Sequence, residues 1–164
     1  GVYAIGDSTG KLMLAHAAMV MGEVAAENAM GGGSTFDPAE SPSCVFTRPE
    51  FAGVGYTEEQ LTAMGVDYKV GRFPTNANGK SLVLNCTNGM VKIIAGAKYG
   101  EILGVHILAS HATDLIAEAA MALKLEATTE EFISTIHCHP TVSEAVHECA
   151  MAVDNRAIHI PNKK

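Results

Sequence analysis

The stretch "GMVKIIAGAKYGEILGVHIL", Gly89 to Leu108, decides the fold this chain can form. Two β-like runs, Gly89–Ala97 and Glu101–Leu108, meet at "KYGE", a turn of hairpin length, and "MVKII" alternates as a half-buried strand does. Further short runs lie upstream: "CVFT" (Cys44–Thr47), "FAGVGY" (Phe51–Tyr56) and "YKVGRF" (Tyr68–Phe73). Together they predict an antiparallel sheet. Helices interrupt and follow it. "TEEQLTAMG" has Thr57 as N-cap, Glu58 and Glu59 in its first turn and Gly65 as its stop. "TDLIAEAAMALKL" sets Leu115, Ile116, Ala119 and Leu123 on one face, "TTEEFISTI" follows, and a last helix is expected over Val142–Asp154. Strands followed by helices on one side of a sheet make an α+β domain.

Upstream of the sheet, "VYAIGDS" predicts a short buried strand, Val2–Ile5, broken by Gly6, Asp7 and Ser8. "KLMLAHAAMVMGEVAAENAM" predicts a helix ended by Gly31, Gly32 and Gly33. In α/β proteins such a strand-turn-helix places its turn at the carboxyl end of a sheet, where ligands bind. "GGGSTFDPAESPS" is linker-like in composition. The expected organisation is therefore 1–33 as a strand and helix of one domain, 34–41 as linker and 42–164 as a second domain. The chain opens directly on an apolar run, and a terminus is a poor place to begin a buried strand, so a piece of a longer protein is expected.

Composition bounds the partners. A formal charge of −7, with eleven Lys and Arg scattered along 164 residues, argues against nucleic acid, because phosphate binding needs a basic surface. No charge-free apolar run reaches the roughly 20 residues needed to cross a bilayer, which argues against a membrane. Cys44, Cys86, Cys138 and Cys149 lack the paired spacing of a structural zinc site. They fit best as reduced thiols in a cytosol-like compartment.

The chemistry concentrates in "HCHPTVSEA", His137 to Ala145. A metal would need His137 and His139 to share one ion and to recruit further ligands, with His147 or Glu148 as candidates of unfixed spacing. Cys138 as a nucleophile would need hydrogen-bond contact with a base, which neighbours along an extended segment do not make, so a core thiol is expected. Thr141 to Glu144 has the form of a capping box, with Thr141 accepting from the Glu144 amide and Glu144 reaching back to the Thr141 amide. Alternatively, Glu144 holds one nitrogen of His139, the arrangement a general base requires. On the residues alone, base and cap both stand.

The same stretch resembles the HxHPTxSE signature near the C-terminus of the dihydrolipoamide dehydrogenase family, within the FAD- and NAD-dependent disulfide oxidoreductases. "GVYAIGD" with "MLAHAA" is similar to the family's second FAD contact. "FTRPEFAGVGYTEEQ" and "GMVKIIA…ILGVHIL" are similar to its interface domain, and "AVDNRAIHI" to its tail. The resemblance implies the antiparallel dimerisation domain of these reductases, preceded by a strand and helix from the FAD domain. It implies that Asp7 bonds the flavin's ribityl chain, that Met13, Leu14, Ala15 and His16 lie along the flavin, and that His139 is the acid–base residue with Glu144 as its partner. It also implies a cis His139–Pro140 bond. The capping and pairing roles of Glu144 then compete, with pairing favoured.

The family's Gly-rich fingerprints and CxxxxC pair are missing here. FAD and NAD would belong to the full-length enzyme, and this piece by itself is expected to bind neither and to be inactive. Implied partners are a second copy, as a homodimer, and the lipoyl domains of 2-oxo acid dehydrogenase complexes or the glycine cleavage system. The tail lacks the cysteines typical of mercuric reductase, and Ala145 stands where glutathione reductase more often has a second acid. Both departures favour a lipoamide enzyme. The rival is a stand-alone dimerisation or binding module without catalysis, and a metal-binding protein ranks third.

Overall fold

The chain, in a computed structural model describing residues 1–162, divides into two units, Gly1–Ser41 and Pro42–Lys164. The expected domain at 42–164 thus has its last two residues outside the described ones. In the first unit a 3₁₀ turn, Gly6–Thr9, leads to α1 (Ala15–Ala29), and a second lies at Pro38–Glu40. Gly6 and Gly10 bracket the turn at φ 62° and 65°, left-handed backbone that glycine adopts without a Cβ clash. The Gly6 amide donates to Met21 Sδ at 3.2 Å and ties the turn to α1.

Two expectations fail in this unit. Val2–Ile5 is not a strand: Ile5 is extended (φ −133°, ψ 160°), but no segment among the described residues pairs with it. A strand exists only by exchanging hydrogen bonds with a neighbour. The helix expected from Lys11 begins at Ala15, because Leu14 is still extended (φ −133°, ψ 132°). The helix propensity of Leu and Met is a weak prior that the local turn overrides.

The second unit runs β1 (Ser43–Val45), β2 (Glu50–Gly55), α2 (Glu58–Met64), β3 (Tyr68–Pro74), α3 (Gly79–Val83), β4 (Met90–Gly96), β5 (Ile102–Ala109), α4 (Ala112–Lys124), α5 (Thr129–Ser134) and α6 (Glu144–Val153). The sheet has the order β1-β2-β5-β4-β3, antiparallel throughout, so the α+β class holds. Register explains the core. Phe73 faces Val91, Val91 faces Ile107 and Ile107 faces Ala52, while Ile93, Val105 and Val54 form the next row. All are buried, and each large side chain removed from water contributes about 1.5–3 kcal/mol.

Helix α4 covers β2 and β5 through Ala112, Ile116 and Ala119, and α6 covers β3 and β4 through Val146, Cys149 and Val153. Gly71 sets how closely α6 approaches, since a Cβ there would lie 2.3 Å from the Cys149 carbonyl oxygen. The short α2 lies against the other face, where Glu58 pairs with Arg72 and with Lys92 at 3.0 Å. Helix α3 has no counterpart in the sequence expectations, since five residues are too few for a helical period to show. Among the described residues no helix is long and apolar enough to cross a membrane.

Candidate active site

Between α5 and α6 the chain runs extended through Thr135, and the His139–Pro140 peptide is cis, as the resemblance implied. Glu144 is the first residue of α6, and one of its oxygens, Oε1, lies 2.9 Å from His139 Nδ1. The other, Oε2, accepts from the Thr141 amide at 2.8 Å. The expected competition between capping and pairing therefore does not arise: two oxygens do two jobs. Only half of the capping box forms. Thr141 Oγ1 turns away from the helix and donates to the Cys138 carbonyl at 2.6 Å, with Ser143 Oγ at 2.8 Å, and the helix starts after Ser143.

Partial burial pushes the Glu144 carboxyl upward, but the Thr141 amide and His139 outweigh it and hold the group below its ordinary range. An ionised carboxylate only accepts, so a proton on His139 is assigned to Nδ1, which in the neutral ring leaves the lone pair on Nε2. The His139 side chain is 79% exposed, against 28% for Glu144. A neutral imidazole oriented in this way, with Nε2 facing solvent, is what proton abstraction from an incoming ligand requires.

His139 and Glu144 line a groove of about 630 Å³ that also takes in His137, His147, Glu148 and His159. These neighbours are held by their own partners. His137 Nε2 meets Glu118 at 2.8 Å and its Nδ1 meets the Thr135 carbonyl at 3.0 Å. His147 Nε2 meets the Ile133 carbonyl at 3.1 Å. Glu148, buried, takes His159 Nδ1 at 2.8 Å and the amides of Ile158 and His159 on its other oxygen. His137 and His139 thus turn to different carboxylates, and among the described residues no three His, Cys, Asp or Glu converge as metal ligands would.

Cys138 corrects an expectation: it is exposed, not a core thiol, because it lies in the extended segment outside the sheet. The core thiol is Cys149, which donates to the Val91 carbonyl at 3.2 Å and whose ionisation burial strongly suppresses. All four cysteines are free. Sequence reasoning missed the Glu118 and His159 pairings and also Asn78, whose side chain reaches the Thr141 carbonyl at 3.0 Å. No spacing announces contacts of this kind, though Asn78 three residues before Ser81 carries the pattern of a helix cap.

The other expected residues lie in the first unit. Asp7 stands in the first turn of Gly6–Thr9 with an exposed side chain. Met13 is exposed, Leu14 is half-buried at the extended approach to α1, and Ala15 and His16 form its exposed first turn. No side chain caps α1 at Leu14.

The fold and the site define a class. Residues 41–150 match the pyridine nucleotide-disulphide oxidoreductase dimerisation domain, and the chain belongs to that family. The dihydrolipoyl dehydrogenase of Thermus scotoductus is 47% identical over 163 residues, 99% of this chain and 35% of that protein. Among solved structures, LpdA (Rv3303c) from Mycobacterium tuberculosis superposes with a TM-score of 0.84 at 32% identity, over 90% of this chain and 32% of the other. The HOCl-induced flavoprotein disulfide reductase RclA from Escherichia coli gives 0.82 at 27% identity, over 92% and 35%. The chain spans about a third of the length of the curated relatives it matches.

Proposed function

We propose that the chain is the C-terminal part of a dihydrolipoyl dehydrogenase, supplying its dimer interface and its acid–base pair. Residues 1–33 complete the FAD domain, 34–41 link, and the interface domain begins at Pro42. The observation that carries this is His139, held at Nδ1 by Glu144 and open at Nε2. His139 Nε2 takes the proton of a dihydrolipoamide thiol, and the resulting thiolate attacks the redox disulfide of the other subunit. One cysteine leaves as thiolate and a mixed disulfide forms. The second lipoyl thiol then closes the lipoyl disulfide and leaves a dithiol. Glu144 stabilises the imidazolium while it holds the proton.

The first unit fits a flavin. Asp7 offers an exposed carboxylate to a hydroxylated tail, Met13 offers an exposed apolar surface to a flat ring, and the start of α1 carries no side-chain cap. A bound FAD would be held by Asp7 and the Met13–His16 segment together with residues outside this chain, and it would supply the two-electron relay between the dithiol and NAD. Val2, Tyr3, Ile5 and Met19 leave apolar surface uncovered, as a segment that completes another domain would. The soluble compartment is the cytoplasm, or the mitochondrial matrix in a eukaryote, and the partners are a second copy and the lipoyl domains of 2-oxo acid dehydrogenase complexes or the glycine cleavage system.

In the full-length enzyme, His139→Gln is expected to slow dihydrolipoamide turnover by about 10² to 10⁴, the usual contribution of general acid–base catalysis. NADH-driven reduction of a quinone acceptor, which needs no thiol proton transfer, persists. Glu144→Gln gives a smaller loss in the same direction. Full dihydrolipoamide turnover in the His139 variant would contradict the assignment.

A further inference from the structure

The carboxylate that orients His139 is anchored on the Thr141 amide, and the carbonyl of the same residue is held from another part of the fold. Asn78, buried, lies in the connection from β3 to α3. Its Oδ1 accepts from the Ser81 amide at 2.8 Å and from Ser81 Oγ at 2.9 Å. Because the Ser81 amide can only donate, the oxygen must face it, and the NH₂ is thereby aimed at the Thr141 carbonyl, 3.0 Å away. On its amide side Thr141 donates to Glu144 Oε2, and Glu144 Oε1 meets His139. A line of contacts thus runs from Ser81 through Asn78, Thr141 and Glu144 to His139, and Asn78 and Thr141 stand 63 positions apart in the sequence.

Helix capping alone does not require this residue. An aspartate caps equally well but has no donor, so it could not reach the Thr141 carbonyl. A buried amide is costly unless its bonds are made, and here one NH₂ bond is spent on the turn that carries the site. We infer that Asn78 is a positioning residue for the His139–Glu144 pair, fixing by its carbonyl the residue Thr141, whose amide gives Glu144 its direction. This rests on the function proposed above.

The test is Asn78→Asp in the full-length enzyme, which keeps the acceptor for Ser81 and removes the donor to Thr141. The readout is the ratio of dihydrolipoamide turnover to NADH-driven quinone reduction. That ratio is expected to fall roughly tenfold or more, within the about 10²-fold that a 1 Å misplacement of a reacting group costs. Thr57→Ala, which removes a cap from α2, lowers stability and leaves the ratio unchanged. Should Asn78→Asp not accumulate as folded protein, Asn78→Ala is scored in the same way. An unchanged ratio in a folded Asn78 variant, while His139→Gln collapses it, overturns the positioning role alone. An unchanged ratio in both overturns the acid–base assignment and the positioning role with it.

Discussion

Glu144 has one carboxylate and two partners, and the consequence can be read in acid. Its folded carboxyl is held below the ordinary value near 4.3, so the stability it contributes is present above that value and is lost as pH falls through the folded one. Glu144→Gln is therefore expected to lower the melting temperature at neutral pH, with the gap to wild type closing on acidification. A gap constant from pH 7 down to pH 3 would contradict this. His106 gives a second signal. Burial on β5 and then the nearby Lys92 charge disfavour its protonated form, while Glu58 and Glu59 oppose them more weakly, and its Nδ1 is buried without a hydrogen-bond partner. Its contribution is complete above the ordinary histidine value of about 6.5 and declines as pH falls toward the depressed folded value. His106→Gln should flatten that part of the thermal stability profile. The His139–Glu144 pair was legible because it is local, five residues apart on a recognisable helix start. The Asn78 brace was not, because only the folded sheet brings β3's exit to the start of α6.

At the scale of elements, the most legible parts were those whose signals are local. Helix α2 follows Thr57 and its capping box with Gln60 and stops at Gly65, which adopts φ 70°. The β4–β5 hairpin follows its alternation. Val2–Ile5 has an equally apolar sequence and forms no strand, because pairing is supplied by a neighbour and not by propensity. Gly71 marks where elements meet without any sequence signal. A methyl group there would meet the Cys149 carbonyl at 2.3 Å and Val153 at 2.8 Å, pushing α6 off β3. Gly71→Ala is expected to cost about 1–3 kcal/mol in urea unfolding, the usual range for overpacking. Since α6 carries Glu144, dihydrolipoamide turnover should fall in the same variant. Stability equal to wild type would contradict the close packing of α6 on β3.

For the whole molecule, a unit of the family's dimerisation domain joined to a short segment with uncovered apolar side chains accounts for why so little of the chemistry is self-contained. The isolated chain is expected to purify colourless, and flavin absorbance co-purifying with it would contradict the view that Asp7 and Met13–His16 are only part of a cofactor site. The central claim is that His139 of one subunit serves the disulfide of the other, and mixing two dead full-length variants tests it most directly. One carries His139→Gln with its redox cysteines intact; the other carries serines in place of those cysteines with His139 intact. After subunit exchange, a mixed dimer holds one site with both an intact disulfide and an intact histidine only if the two come from different chains. The account predicts that dihydrolipoamide turnover returns on mixing. Mixed dimers that form and stay as inactive as their parents would contradict it.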